Sequence, residues 1–130
     1  VVAVLAPTDA CDRVEASAGM PSIRVGPREV LLVGEADVSS LRATVGEGSV
    51  VEDVSDAWVA LVIEGADARD AFASLSELAL PAKGWIQGEV ARTGAKVLAG
   101  PAAVTILVPA MLAVHVERRI RVDAAEVLSS

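Results

Sequence analysis

From Trp58 to Ile63 the chain carries six consecutive apolar residues, closed by Glu64 and Gly65. A run that short and that rich in β-branched types predicts a buried strand. Gly65 frees the backbone to turn sharply. Asp67 then falls in the first turn of a helix, where a carboxylate meets unpaired N–H groups and the positive end of the macrodipole. Within that helix Ala68, Ala71, Phe72 and Leu75 recur at i, i+3, i+4 and i+7, one apolar stripe. A strand, a glycine turn and a helix folded back on the strand therefore form the organising unit. The rest of the chain is expected to cover its open faces.

The flanking segments suggest how. Residues 1–20 mix Ala, Pro, Asp, Ser and Gly without sustained periodicity. They predict a loosely ordered arm, with a short strand at Val1–Leu5, ahead of a single α+β domain over residues 21–130. Ser22–Val25 and Val30–Val33 flank Gly26-Pro27-Arg28-Glu29, a hairpin with proline fixing φ in the turn. Asp37 caps a helix with Val38, Leu41 and Val45 on one face, and Gly46 ends it. Val50–Val54 leads into the central run. After the central helix, Leu78, Leu80 and Pro81 form a connector. Trp85–Arg92 predicts a strand interrupted by Gly88, and Thr93-Gly94 a turn. Val97–Leu98 and Val104–Val108 predict further strands. Leu112, Val114 and Val116 alternate with Ala113, His115 and Glu117, the pattern of a strand with one wet face. A closing helix would carry Ile120, Ala124, Val127 and Leu128 inward. This order predicts an α+β fold with a mostly antiparallel sheet and about three helices.

Composition narrows the function classes. The chain has 130 residues, enough to bury a core without disulfides or metal. Its hydrophobic share of 53% is mostly Ala and Val, with one Phe, two Trp and no Tyr, so few aromatic platforms exist for stacking a base or a flavin. A formal net charge of −7 repels nucleic acid and anionic membranes. Cys11 is the single cysteine, which excludes an internal disulfide and fits a reducing, cytoplasmic setting. Val1–Ala6 is too short for a secretion signal, and Ala102–Val116 is broken by Thr105, Pro109 and His115 and falls short of the roughly 20 residues of a membrane helix. The start at Val1 rather than methionine is read as trimming or as an incomplete chain, so Val1 is not taken as the natural start.

No reactive constellation assembles from spacing. His115 is the only histidine and lacks a nucleophile or cysteine partner. The carboxylate pairs Asp53/Asp56, Glu35/Asp37 and Asp67/Asp70 all fit turns or helix caps; Asp53/Asp56 is the best candidate for acid–base work because an apolar strand follows. Gly65 lacks the companion glycines of a dinucleotide fingerprint and the Gly-Lys-Ser/Thr of a P-loop. Arg118, Arg119 and Arg121 cluster as a solvated face or a docking patch for an acidic partner. Trp58 and Trp85 suit core or interface anchors. The chemistry points to docking.

Three patterns resemble one family. Gly26-Pro27-Arg28-Glu29-Val30-Leu31-Leu32 resembles the hairpin of heterotetrameric sarcosine oxidase gamma subunits. Val51-Glu52-Asp53-Val54-Ser55-Asp56-Ala57, leading to Gly65-Ala66-Asp67-Ala68-Arg69-Asp70, is similar to that family's D-x-S, strand, G-x-x-A-R block. The segment from Leu112 into the arginine-led helix is similar to its C-terminal end. The family-motif positions are thus Gly26, Pro27, Glu29, Ser55, Gly65 and Arg69. Val30 stands where the family usually has Trp, and Ala66 where Pro often follows the glycine. The resemblance implies a fold like the folate-binding domain of glycine-cleavage aminomethyltransferase, and a non-catalytic subunit packed on a large flavoenzyme subunit. FAD, FMN, NAD, zinc and tetrahydrofolate would then sit in partner subunits. Trp85, Pro81, Arg118 and Arg119 are the expected partner interface. The aminomethyltransferase's catalytic Asp has no counterpart between Gly94 and Val108. Lys83-Gly84-Trp85-Ile86-Gln87-Gly88-Glu89 echoes the folate-dependent iron–sulfur-maintenance branch, with Trp85 at the place of its cysteine. The alternative is a free-standing folate-binding or one-carbon-transfer accessory protein using Asp53, Ser55 and Asp56.

Overall fold

The first apolar residues of the chain are too few to show a period, yet they form a central strand. The structure, a computed structural model, describes residues 1–123. It divides into two units, Val1–Asp56 and Ala57–Ser130. In the first, β1 (Val2–Leu5), α1 (Thr8–Ser17), β2 (Ser22–Gly26), β3 (Glu29–Leu32), α2 (Val38–Val45) and β4 (Val50–Asp53) follow in order. The antiparallel sheet runs β2-β3-β1-β4, the split βαβ arrangement of ferredoxin-like units. Val2, Val4, Val30, Leu32 and Val51 face the helices, which contribute Ala10, Cys11 and Val14 from α1 and Val45 from α2.

Residues 2–17 are therefore no loose arm. Val2, Ala3 and Val4 are all buried, so the four-residue strand shows no alternation to read. The α1 stripe is made of small residues behind Pro7 and is equally quiet in sequence. Residues 21–130 are shared between the two compact units, whose boundary falls in the turn after β4.

The second unit contains β5 (Trp58–Glu64), α3 (Ala68–Ala73), β6 (Gly84–Val90), β7 (Thr93–Ala99), β8 (Ala103–Pro109), a 3₁₀ turn (Ala110–Leu112) and α4 (Ala113–Asp123). Its antiparallel sheet runs β5-β8-β7-β6. Ile63, Val90, Ala95, Val97, Val104, Ile106 and Val108 line one face, covered by Ala68, Ala71, Phe72 and Leu75 of α3 and its exit and by Val116 of α4. The apolar stripe expected of the central helix is thus fully buried. Burying the Phe72 side chain alone contributes about 1.5–3 kcal/mol. The whole is α+β, with two antiparallel sheets and four α-helices among the described residues.

Other differences have local causes. The Trp58–Ile63 strand exists but is an edge strand, with Ile63 its one buried residue and Val62 52% exposed. The turn between β6 and β7 is Ala91-Arg92 rather than Thr93-Gly94. Both take left-handed φ, 49° and 64°, as a tightly twisted two-residue hairpin loop requires, without the Gly or Asn that announces one. Gly88 does not interrupt β6; Leu78 lies over it. Leu112–Glu117 is not a strand. Ala113, Val116 and Ile120 pack inward at helical spacing, and Val116 belongs to both periods, which a six-residue window cannot separate. Ala124, Val127 and Leu128 lie outside the described residues. Among those described, no helix is long and apolar enough to cross a membrane.

Candidate functional site

Where α3 ends, its irregular exit segment, the β6–β7 turn and one side of α4 surround a groove of about 890 Å³. Its polar lining comprises Ser74, Ser76, Glu77, Glu89, Arg92, His115, Arg119 and Asp123, with Leu75 and Leu78 among the apolar walls. The size suits a small molecule, and sequence spacing did not foresee it. His115 and Arg119 enter together because they are four residues apart on a helix, whereas the expected strand would have set His115 on a sheet face.

The bonds in this groove are mostly spent on the fold. His115 Nε2 lies 3.2 Å from the Ala91 carbonyl oxygen, a contact its Nε2–H tautomer makes as donor. Ser76 Oγ donates to the Glu89 carbonyl at 2.6 Å and accepts the Leu78 N–H at 3.1 Å. Arg119 pairs with Asp123 one helical turn on, at 2.7 Å. No recorded bond joins an acid on one wall to a base on another, so the described contacts form no proton relay. Among the described residues, no group of three His, Cys, Asp or Glu side chains is placed to hold a metal ion.

A smaller cavity of about 230 Å³ lies at Trp58, Gln87, Gly94, Ala95 and Lys96. Lys96 Nζ sits 5.1 Å from the Trp58 ring centroid and donates to Gln87 Oε1 at 3.3 Å. The Trp58 face is therefore already occupied by a cation.

Asp53 ends β4 and Ser55 and Asp56 lie in the turn that follows; all three are exposed, and neither cavity includes them. Ser55 donates its hydroxyl (2.6 Å) and its N–H (2.9 Å) to Asp53 Oδ1. Those bonds, the hydroxyl's first, hold the Asp53 carboxyl below the usual carboxylate range. Asp56 is not drawn into them.

The motif glycines and Arg69 prove architectural. Gly65 has φ 114°, a conformation that a side chain would strain, and donates to the Ala102 carbonyl at 2.8 Å. Arg69 Nη2 donates to the carbonyls of Pro81 (2.7 Å), Ala82 (2.9 Å) and Gly100 (3.2 Å), tying the α3–β6 connector to the β7–β8 turn. Gly26 and Glu29 pair across the first hairpin, beside a bulge between Arg24 and Gly26. Arg24, which the sequence did not single out, donates to the Gly26 and Pro27 carbonyls at 2.8 and 2.7 Å and pairs with Asp12 and Glu15 of α1. An isolated arginine on a short strand gives no signal of such a role.

The comparisons bear on the fold. No family model matches the chain, and no curated protein matches it. Over 99% of its length the chain is similar to a chain of the heterotetrameric sarcosine oxidase from Corynebacterium sp. U-96, solved in complex with pyrrole 2-carboxylate. The TM-score is 0.78 at 18% identity, and 80% of that chain is covered. The two chains share a fold. The likeness takes in four fifths of the matched chain, which is about a quarter longer than this one.

The expected interface residues fall on separate elements. Trp85 is half-buried on β6, on the sheet face turned away from α3 and α4, in line with Leu98, Thr105 and Val62. Pro81 is half-buried, its carbonyl taken by Arg69. Arg118 and Arg119 are exposed on α4, and Arg118 has no ion-pair partner among the described residues. Met111, Val114 and Val122 of the same helical region are 89%, 66% and 64% exposed. That apolar surface beside arginines was not read from the sequence, because the strand assignment hid its helical spacing.

Proposed function

We propose that this chain is a non-catalytic, gamma-like subunit of a sarcosine-oxidase-type flavoenzyme complex, contributing to assembly by contact with a large subunit. The observation that carries the reading is the fold likeness along 99% of the chain to a subunit-sized chain of such an oxidase. The apolar, arginine-flanked outer side of α4, with Val114, Arg118 and Val122, and Met111 of the 3₁₀ turn before it support the reading, since exposed apolar surface rimmed by charge marks protein interfaces. Flavins, NAD, zinc and folate belong, in this reading, to the partner subunits, and the groove at His115 is not required to turn anything over.

Affinity-tagged chain recovered from its native host should carry a large subunit with it, and the eluate should show flavin absorbance that the isolated chain lacks. The variant Val114→Glu should lose that partner while keeping its far-UV spectrum. A monodisperse chain that oxidises sarcosine unaided would end the proposal. Tetrahydrofolate titrated calorimetrically into the isolated chain should give no heat.

A further inference from the structure

Each sheet has two edges, and three of the four edges are protected. At β2 the pairing is broken by the bulge between Arg24 and Gly26. The β4 edge is short, carries Glu52 and Asp53, and has the Val51 carbonyl bonded by Arg42 at 3.3 Å. On β6 the Glu89 carbonyl is taken by Ser76 Oγ, and Leu78 lies against Gly88. Bulges, charges and covered carbonyls are the means by which proteins stop edges from pairing.

The fourth edge, β5, has none of them. Its seven residues hold an unbroken register with β8 from Trp58↔Pro109 to Glu64↔Ala103, without bulge, proline or glycine, and with one charge, at the end. Alternate residues of such a strand direct N–H and C=O away from the partner. Among the described residues those outward groups have no other backbone partner. Ala60, Val62 and Glu64 are exposed along it. What fits a row of unpaired donors and acceptors is another extended strand.

We infer that β5 pairs with β5 of a second copy, antiparallel about Leu61, joining two sheets into one. In that register Ala60 faces Val62, Val59 faces Ile63, Leu61 faces itself and Trp58 faces Glu64. No two like charges meet and every other pair is apolar, so the segment is its own complement. A one-residue slip would set inward-facing positions against outward ones. The inference is independent of the large-subunit reading, because it concerns the chain alone.

Sedimentation of the purified chain over a range of concentrations tests it. The unsubstituted chain should dimerise, and Val62→Lys should weaken the dimer by at least about tenfold. Val50→Lys, on the protected β4 edge, should leave it intact. Oxidising a mixture of the Ala60→Cys and Val62→Cys chains should give mainly the mixed disulfide, which reads the register even if the lysine variant folds poorly. A chain that stays monomeric throughout, a dimer indifferent to Val62→Lys, or Ala60→Cys chains crosslinking mainly to one another would each overturn the inference.

Discussion

Arg69 illustrates how much one side chain can organise. Its guanidinium serves three carbonyls on two separate loops, and no other donor is recorded for them. Arg69→Ala should destabilise the chain by about 2–4 kcal/mol, since bonds from a charged donor are worth more than neutral ones. Arg69→Lys should recover only part of this, because a point charge cannot reproduce the planar fork. Chemical denaturation of the three proteins measures both. Gly88 makes a second case. A Cβ there would lie 2.5 Å from Leu78 Cδ2, so Gly88→Ala should cost about 1–3 kcal/mol, and clearly less in a Leu78→Ala background where the clash is gone. The sequence marked Arg69 and Gly65 as motif positions and left their work open. It could not mark Arg24 or Leu78, whose importance depends on which loop is folded against them.

At the scale of elements, α2 was readable from end to end. Asp37 caps it through the Ser39 and Ser40 N–H groups at 3.0 and 3.3 Å, and Gly46 closes it with φ 81°. The Ser40 hydroxyl and then its N–H hold the Asp37 carboxyl below its ordinary 3.8. A depressed folded-state value means the stabilisation is complete above the unfolded carboxylate's range and is lost as pH falls through the folded one. Asp37→Asn keeps a capping oxygen and should flatten the acid side of the stability profile, seen by denaturation from neutral pH downward; an unchanged slope would refute the linkage. For α3 the stripe held, and Phe72→Ala should cost about 3–5 kcal/mol as a core truncation. Helix α4 was not readable. Its short apolar alternation fits either period, and only the packing of Ala113, Val116 and Ile120 on the sheet decides between them.

For the molecule as a whole, the division after Asp56 places an exposed, polar turn between two separate cores. Limited proteolysis should cut first near Ser55–Ala57, giving two fragments identified by mass. The net charge of −7 should also keep the chain from retarding duplex DNA at physiological salt. The sequence by itself determined the α+β class, the antiparallel hairpins, the caps of α2 and the buried face of α3, because each is written in spacings of a few residues. It also carried a likeness whose fold the comparison with a sarcosine oxidase chain supports. Only the tertiary structure decided that there are two sheets, that β1 is central and β5 an edge, and that His115 and Arg119 share a groove. Which strands become neighbours is settled by the competition of distant apolar faces for burial, and a single strand's composition does not record which side of the contest it will occupy.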